Sequence, residues 1–100
     1  MSEALEELIE DIKKWQNETF PGSTPLSCAK HLKEEAAELA EFPRGSFEIA
    51  DCFMLIVAVA SKGGYDLTEI TRQKLEINKK RTFKYDPELG YAKHVGVDNG

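Results

Sequence analysis

The sequence has few cysteines, no long hydrophobic run and no basic excess. Its two cysteines, Cys28 and Cys52, both lie in apolar surroundings, so we expect buried free thiols in a reducing compartment rather than disulfide bonds. The longest apolar run, residues 52–60, is far shorter than the roughly 20 residues that cross a bilayer, so no membrane partner is expected. The acidic N-terminus is unlike a secretory signal peptide. These absences together predict a cytoplasmic location.

Acidic residues outnumber basic ones by 18 to 13, which gives a net charge of −5. Nucleic acids and anionic membranes select basic surfaces, so neither is expected as a partner. A phosphorylated small molecule stays compatible with this charge if a divalent cation accompanies it. A chain of 100 residues is one small domain. Helical proteins of this size often complete their core by oligomerising.

Proline and glycine are sparse, and they fall mainly in four short segments that divide the chain. The segments between them carry helical periodicity and predict helices over residues 3–16, 25–41, 46–62 and 66–82. Thr24 is expected to cap the second helix, with Pro25 at its first position. Residues 52–60 are apolar on every side, so the third helix should be central. The predicted class is all-α, a four-helix bundle over residues 1–84, completed by oligomerisation. A C-terminal tail follows over residues 85–100, of which 91–97 suit a short extended segment.

Two groups of carboxylates stand out. Glu34, Glu35 and Glu38 lie within about 100° of one another on the second helix, and Glu48 and Asp51 are about 60° apart on the third. The short link between these helices makes them antiparallel neighbours, so both groups should lie at the same end of one seam. A hard divalent cation such as Mg²⁺ would offset their repulsion and recruit phosphates. The alternative is that each group is simply a solvated helix face.

The fourth helix carries a polar group on its apolar stripe. Lys74, Asn78 and Arg81 lie within about 60° of one another and continue the stripe of Leu67, Ile70 and Ile77. Polar residues in such positions point inward and need a partner. The functional interpretation is a clamp for phosphate oxygens. Structural ion pairs with the acidic residues are the alternative.

These motifs resemble those of the MazG-type all-α nucleoside triphosphate pyrophosphatases. The shared pattern is Glu-Glu-x-x-Glu at residues 34–38, Glu-x-x-Asp at 48–51, and Lys-x-x-x-Asn-x-x-Arg at 74–81. Flanking residues are similar to the branch that acts on dATP and dGTP in phages and bacteria: Trp15, Thr19-Phe20-Pro21, His31-Leu32 and Ile49-Ala50-Asp51. The resemblance covers roughly residues 12–83. The nine residues between Glu38 and Glu48 are fewer than is usual in the superfamily and imply a trimmed hairpin.

The resemblance implies hydrolysis of dGTP and dATP to the nucleoside monophosphate and pyrophosphate. It implies a homodimer or homotetramer, and the host-cell cytoplasm as the location if a phage encodes the chain. Two or three Mg²⁺ ions, or Mn²⁺, are expected per site. The predicted metal ligands are Glu35, Glu38, Glu48 and Asp51, and the predicted catalytic group is Glu34, Glu35 and Glu38, with Glu34 activating water. The predicted substrate-binding residues are Trp15, Lys74, Asn78 and Arg81, with the Trp15 indole stacking on the purine.

Alternatives stay open at this stage. Core packing is the simplest role of Trp15, because it ends the apolar stripe predicted for the first helix, which consists of Leu5, Leu8, Ile9, Ile12 and Trp15. His31 is interpreted as structural or as a minor substrate contact. The substrate could instead be another nucleotide such as dUTP or dCTP. The chain could also be a non-catalytic acidic module that binds proteins, but a di-iron centre is disfavoured because the sequence has no Glu-x-x-His pair.

Overall fold

The computed structural model describes residues 3–96. They form four helices and two strands: α1 Glu3–Thr19, α2 Pro25–Glu41, α3 Ser46–Lys62, α4 Leu67–Lys79, β1 Thr82–Asp86 and β2 Tyr91–Val95. The predicted four-helix class is confirmed, with a small sheet added. None of the helices within residues 3–96 combines the length and hydrophobicity that crossing a bilayer requires. The chain divides into two compact units, up to Thr68 and from Glu69 onward, so the boundary lies in the first turn of α4.

A side-chain cap fixes the start of α2. Thr24 is extended, at φ −117° and ψ 163°. Its Oγ1 accepts a hydrogen bond of 3.1 Å from the Ser27 backbone N–H, and the Thr24 N–H donates to Ser27 Oγ at 2.9 Å. Pro25 follows at the first helical position, where its missing N–H costs nothing. The predicted cap is confirmed.

The core of the first unit lies between α1 and α3. Ile9 and Ile12 of α1 pack with Val57 of α3, and four partly buried side chains surround them: Leu5, Phe53, Met54 and Leu67. Because α3 packs against both α1 and α2, its predicted central place is confirmed. Cys28 and Cys52 are buried free thiols, as predicted.

The buried stripe of α1 differs from the predicted one. Leu8 and Trp15 were expected on it, yet they are 50% and 51% exposed. The buried line instead follows residues 5, 9, 12 and 16, at spacings of four, three and four, and ends on Gln16, which is 6% exposed. The stripe thus ends on a polar amide rather than on the indole.

The second unit holds most of α4 and an antiparallel hairpin. Strands β1 and β2 pair from Thr82↔Val95 to Asp86↔Tyr91. Asp86 Oδ1 accepts hydrogen bonds from the backbone N–H groups of Glu88 and Leu89, at 3.0 and 3.3 Å. Gly90, at φ +80°, supplies the left-handed residue that closes the turn.

Two expectations from the sequence differ from the observed structure of this unit. The fourth helix was expected to reach residue 82 but ends at Lys79, and the strand over residues 82–86 was not expected. The extended segment predicted over 91–97 corresponds to β2 as far as Val95; residue 97 lies outside the described residues. The predicted division between residues 84 and 85 falls inside β1.

Candidate functional site

The helical hairpin of α2 and α3 brings the two acidic groups to the same end. In the link between them, the Phe42 N–H donates to the Glu38 carbonyl at 3.0 Å, and the Gly45 N–H donates to the Phe42 carbonyl at 2.9 Å. The chain therefore reverses in a hydrogen-bonded turn, and the helices pack against each other. Glu38 lies in the last turn of α2 and Glu48 in the first turn of α3.

Glu34, Glu35, Glu38 and Glu48 interact electrostatically, and we call them the acidic cluster. The pKa of Glu38 is raised, first by a side-chain hydrogen bond with Glu35 and by the charge of Glu35, then by partial desolvation and by the charges of Glu34 and Glu48. Neighbouring like charges favour the protonated carboxyl, which explains the direction. The structure therefore brings together four of the five carboxylates that the sequence singled out.

The oxygen-only chemistry of this cluster fits a hard divalent cation, which prefers carboxylate ligands. As the side chains are placed, no three His, Cys, Asp or Glu residues within residues 3–96 converge on one metal-sized position. Glu34 and Glu38 are exposed, so their side chains have space to turn toward an ion.

A cavity of about 450 Å³ lies among α1, α2 and α3, and we call it the aromatic–acidic cavity. Its lining consists of Trp15, Gln16, Phe20, Ser23, Ser27, Cys28, His31, Glu35, Asp51, Met54, Leu55, Ala58 and Lys62. Its volume is within the range of small-molecule sites. Two predicted metal ligands, Glu35 and Asp51, thus share a cavity with the predicted base-stacking residue Trp15.

The aromatic wall of this cavity is an edge-to-face pair. The ring centroids of Trp15 and Phe20 are 5.5 Å apart and the rings are at 89° to each other. Such a pair is favourable in its own right. Trp15 is nevertheless 51% exposed, so the simple core-packing interpretation does not describe its surroundings. The indole keeps surface available for a flat ligand.

His31 contacts a predicted metal ligand directly. Its Nε2 lies 3.3 Å from Glu35 Oε1, one helical turn further along α2. Histidines beside metal-binding carboxylates commonly hold those ligands in place. The sequence suggested only a structural or minor role for His31, although its position four residues before Glu35 places the two side chains on one face of the helix.

Gln16 is the cavity residue that sequence analysis missed. Its Nε2 donates to the backbone carbonyl of Met54 at 2.8 Å and so ties α1 to α3. The signal was present, since Gln16 continues the line of residues 5, 9 and 12. A polar residue that continues an apolar stripe points inward, and this pattern, already noted for α4, could have identified Gln16 on α1.

The three polar residues predicted on α4 lie together in the second unit. The Arg81 guanidinium donates to Asn78 Oδ1 at 3.2 Å. Lys74 and Asn78 line a shallow depression with Ile70, Thr71 and Leu75. Lys74, Asn78 and Arg81 are half-buried, while their charged neighbours Lys79 and Lys80 are exposed. Lys74 and Asn78 lie on α4 as predicted, whereas Arg81 follows the end of the helix at Lys79 and is joined to the group by its bond to Asn78. The role of the three residues in phosphate binding stays a prediction.

Comparison with known proteins gives consistent matches. Residues 8–97 match the dATP/dGTP pyrophosphohydrolase family. A dATP/dGTP diphosphohydrolase from Cyanophage S-2L is 33% identical over a match of 97 residues, and the match covers 95% of this chain and 91% of the relative. A solved structure, the Cyanophage S-2L MazG-like pyrophosphohydrolase bound to dGDP and three catalytic Mn²⁺ ions per active site, superposes with a TM-score of 0.77 at 32% identity. That match covers 90% of this chain and 95% of the solved one.

The matched segment includes most of α1, all of α2, α3 and α4, both acidic groups, and the polar residues at 74, 78 and 81. A family match of this extent is not confined to one motif or one helix. The chain therefore belongs to the dATP/dGTP pyrophosphohydrolase family.

Proposed function

We propose that this chain hydrolyses dGTP and dATP to the nucleoside monophosphate and pyrophosphate. The observation that carries the proposal is the position of Glu35, which contacts Glu38 of the acidic cluster and also lines the aromatic–acidic cavity. A nucleotide has the same two parts, a flat apolar base and a polyanionic phosphate chain. The Cyanophage S-2L relative, whose structure holds dGDP and Mn²⁺, supports the assignment.

The proposed metal ligands are Glu35, Glu38, Glu48 and Asp51. The relative binds three Mn²⁺ ions in each active site, so divalent cations belong to this chemistry. We propose two or three Mg²⁺ ions per site as the physiological cofactor. Bound cations would neutralise the triphosphate and stabilise the leaving pyrophosphate.

The other site residues have two roles: one accepts a proton from water, and the rest bind and orient the nucleotide. Glu34 is an exposed member of the acidic cluster that lies outside the four-ligand set, so its carboxylate is the proposed base that takes a proton from the attacking water. Trp15 stacks on the base. Lys74 and Arg81 bind phosphate oxygens through charge-assisted hydrogen bonds, and Asn78 holds the Arg81 guanidinium in position.

The assembly proposed is a homodimer or homotetramer in the cytoplasm. The proposal is supported by the central helix, α3, which keeps an exposed apolar face in the single chain. Ile49 and Ile56 of α3 are 51% and 41% exposed, and they lie one heptad apart on the same face. A second copy of the chain would bury this face.

A product assay tests the activity. The purified chain is incubated with dUTP and with each of the eight common ribo- and deoxynucleoside triphosphates, in the presence of Mg²⁺, of Mn²⁺ or of a chelator, and the products are separated by anion-exchange chromatography. We expect dGMP or dAMP with pyrophosphate, only when metal is present. Release of a nucleoside diphosphate with inorganic phosphate would contradict the reaction, and a preference for dUTP or dCTP would contradict the substrate assignment.

Matched variants link the activity to the site. Asp51→Asn should abolish turnover while the circular dichroism spectrum keeps its helical signal, because Asp51 is exposed and contributes no core. Asp11→Asn makes the same change on an exposed part of α1 and should leave the rate unchanged. Glu34→Gln should lower kcat by about 100-fold or more, as loss of a general base does. An unchanged rate in Glu34→Gln would remove that role from Glu34.

A further inference from the structure

Gln16 carries a buried acceptor that the fold does not use. Its side chain is 6% exposed, and Oε1 has no hydrogen-bond partner among residues 3–96. Burying an unpaired amide oxygen is unfavourable, and most such groups in proteins are paired. Gln16 also lines the aromatic–acidic cavity beside Trp15. An unpaired polar atom on a residue that lines a ligand-sized cavity points to a ligand that reaches and pairs with it.

The orientation of the amide is fixed by its other end. Nε2 donates to the Met54 carbonyl oxygen at 2.8 Å. If the amide were turned over, Oε1 would face that oxygen, acceptor against acceptor, and the hydrogen bond would be lost. Gln16 therefore presents an acceptor, and a ligand that satisfies it must offer an N–H or O–H donor.

We propose that Gln16 determines base specificity by accepting a hydrogen bond at Oε1 from an N–H group on the edge of the purine. This inference rests on the proposed function and adds the basis on which the base is chosen. Adenine offers its 6-amino group, and guanine offers N1–H and its 2-amino group. Trp15 and Phe20, which are 51% and 49% exposed, are the cavity side chains with space to turn as a base enters.

The proposal predicts which purine is rejected. Unsubstituted purine keeps the ring size and stacking surface of adenine but has no N–H on its six-membered ring. Bound in the same place, it would leave Gln16 Oε1 buried and unpaired. Sites built to hydrogen-bond a substrate group discriminate strongly against analogues that lack it.

The test combines a substitution in the protein with a change of substrate. Wild type and Gln16→Leu are each assayed with dATP and with the 5′-triphosphate of purine 2′-deoxyriboside, and kcat/KM is compared. Wild type should prefer dATP by at least about tenfold. In Gln16→Leu the preference should fall to about one, because leucine leaves no acceptor to satisfy.

The ratio of the kcat/KM values for the two substrates separates an effect on specificity from an effect on folding. Gln16→Leu also loses the bond to the Met54 carbonyl and should melt at a lower temperature, but a smaller active fraction lowers both rates equally. Gln16→Met offers a second near-isosteric variant. Gln73→Leu makes the same chemical change at an exposed glutamine that bonds only within α4, and it should keep the wild-type preference.

Each remaining outcome overturns the idea in a recognisable way. If wild type hydrolyses both triphosphates equally, Gln16 does not read the base, and the proposed function still stands. If the preference persists in Gln16→Leu and Gln16→Met, another residue reads the base. If wild type hydrolyses neither nucleotide nor dGTP, the proposed function falls and this inference falls with it.

Discussion

Glu38 lies where three other carboxylates and a helix terminus all disfavour its negative charge. Its pKa is raised by Glu35 first, and Glu34 and Glu48 add to the effect. The last turn of α2, which is fully described, holds no basic residue to offset the negative end of the helix dipole. A raised pKa in the folded state means that this carboxyl stabilises the fold at low pH. That contribution is lost as the pH rises through the folded pKa.

The first prediction is that Glu38→Gln raises the melting temperature of the metal-free chain at neutral pH while it abolishes turnover. Glutamine removes the repulsion and still hydrogen-bonds Glu35, but it is a poor ligand for a hard cation. Differential scanning fluorimetry with and without Mg²⁺ or Mn²⁺ measures both effects. Wild type should gain thermal stability from metal, and Glu38→Gln should not.

Glu41→Gln is the matched control for Glu38→Gln. It removes a charge from the same end of α2, and Glu41 is not among the groups that perturb Glu38. A small gain in melting temperature from Glu41→Gln measures the helix-dipole contribution alone. An equal gain in both variants, with metal stabilisation retained in both, would show that the acidic cluster is only a solvated face.

The second prediction concerns Trp15, whose indole is half-exposed at the cavity wall. Trp15→Ala should raise the KM for dATP and dGTP by about tenfold or more, because base–aromatic stacking is worth roughly 1–3 kcal/mol. Trp15→Phe should recover most of the affinity, since a smaller ring still stacks. Steady-state kinetics with both nucleotides measures the effect.

The stability of the Trp15 variants separates this role from core packing. Because half of the indole surface is already exposed, Trp15→Ala should lower the melting temperature less than Ile12→Ala, whose side chain belongs to the core. A large loss of stability with an unchanged KM would return Trp15 to a purely structural role.

The helices could be predicted from this sequence more completely than the strands. Pro25 with the Thr24 cap marks one helix start, and Gly63 follows the last residue of α3, so α2 and α3 agree with prediction at both ends. The hairpin gave a weaker signal because its strands are exposed on both faces, which leaves no alternation of buried and exposed residues. The alternating aromatics Phe83 and Tyr85 were the available cue.

For the site, helical spacing predicted shared faces but not contacts. The position of Glu38 and Glu48 at the same end of the helical hairpin could be predicted from the helical rise per residue and the short link between α2 and α3. Spacing places His31 and Glu35 on one face of α2, but their approach to 3.3 Å, and the paired and unpaired ends of Gln16, depend on rotamers that spacing does not determine.

The third prediction concerns how α3 begins. A Cβ atom added at Gly45, the N-cap residue, would collide with the carboxylate of Glu48. The carboxylate is the far end of a flexible side chain, so Gly45→Ala should cost the fold only about 0.5–1 kcal/mol, mostly from a poorer N-cap. Moving Glu48 should nevertheless weaken metal binding and turnover several-fold. Isothermal titration with Mn²⁺ and chemical denaturation measure the two effects separately.

Gly22→Ala is the control for Gly45→Ala, because a Cβ at Gly22 has no described atom within 4 Å. It should change neither Mn²⁺ affinity nor turnover. If Gly45→Ala binds Mn²⁺ as tightly as wild type, Glu48 is not a ligand in its present position.

At the scale of the whole molecule, α3 leaves Ile49 and Ile56 exposed on one face, and a contiguous exposed apolar face often marks a contact with another chain. The fourth prediction is therefore a homo-oligomer whose mass by light scattering is two or four times 11.2 kDa. Ile56→Glu places a charge on the exposed face and should shift the mass toward the monomer. Activity should fall in parallel, since an assembly of this kind loses structure on dilution.

Leu26→Glu is the matched control for Ile56→Glu. Leu26 is more exposed, at 64%, and lies in the first turn of α2, where a negative charge suits the helix dipole. Its mass and activity should equal those of wild type. A wild-type chain that scatters as an 11.2 kDa monomer and is fully active would overturn the assembly.

The four-residue link between α2 and α3 has a consequence for how this enzyme can vary. Each residue added to a helix turns all that follows by about 100° and advances it by about 1.5 Å. An insertion that lengthens the start of α3 would turn Glu48 and Asp51 away from α2 and bring their apolar neighbours to the seam. A substitution in the link leaves that register intact. The lineage of this chain should therefore tolerate point substitution across residues 42–44, while single-residue insertions or deletions there should inactivate it without unfolding either helix.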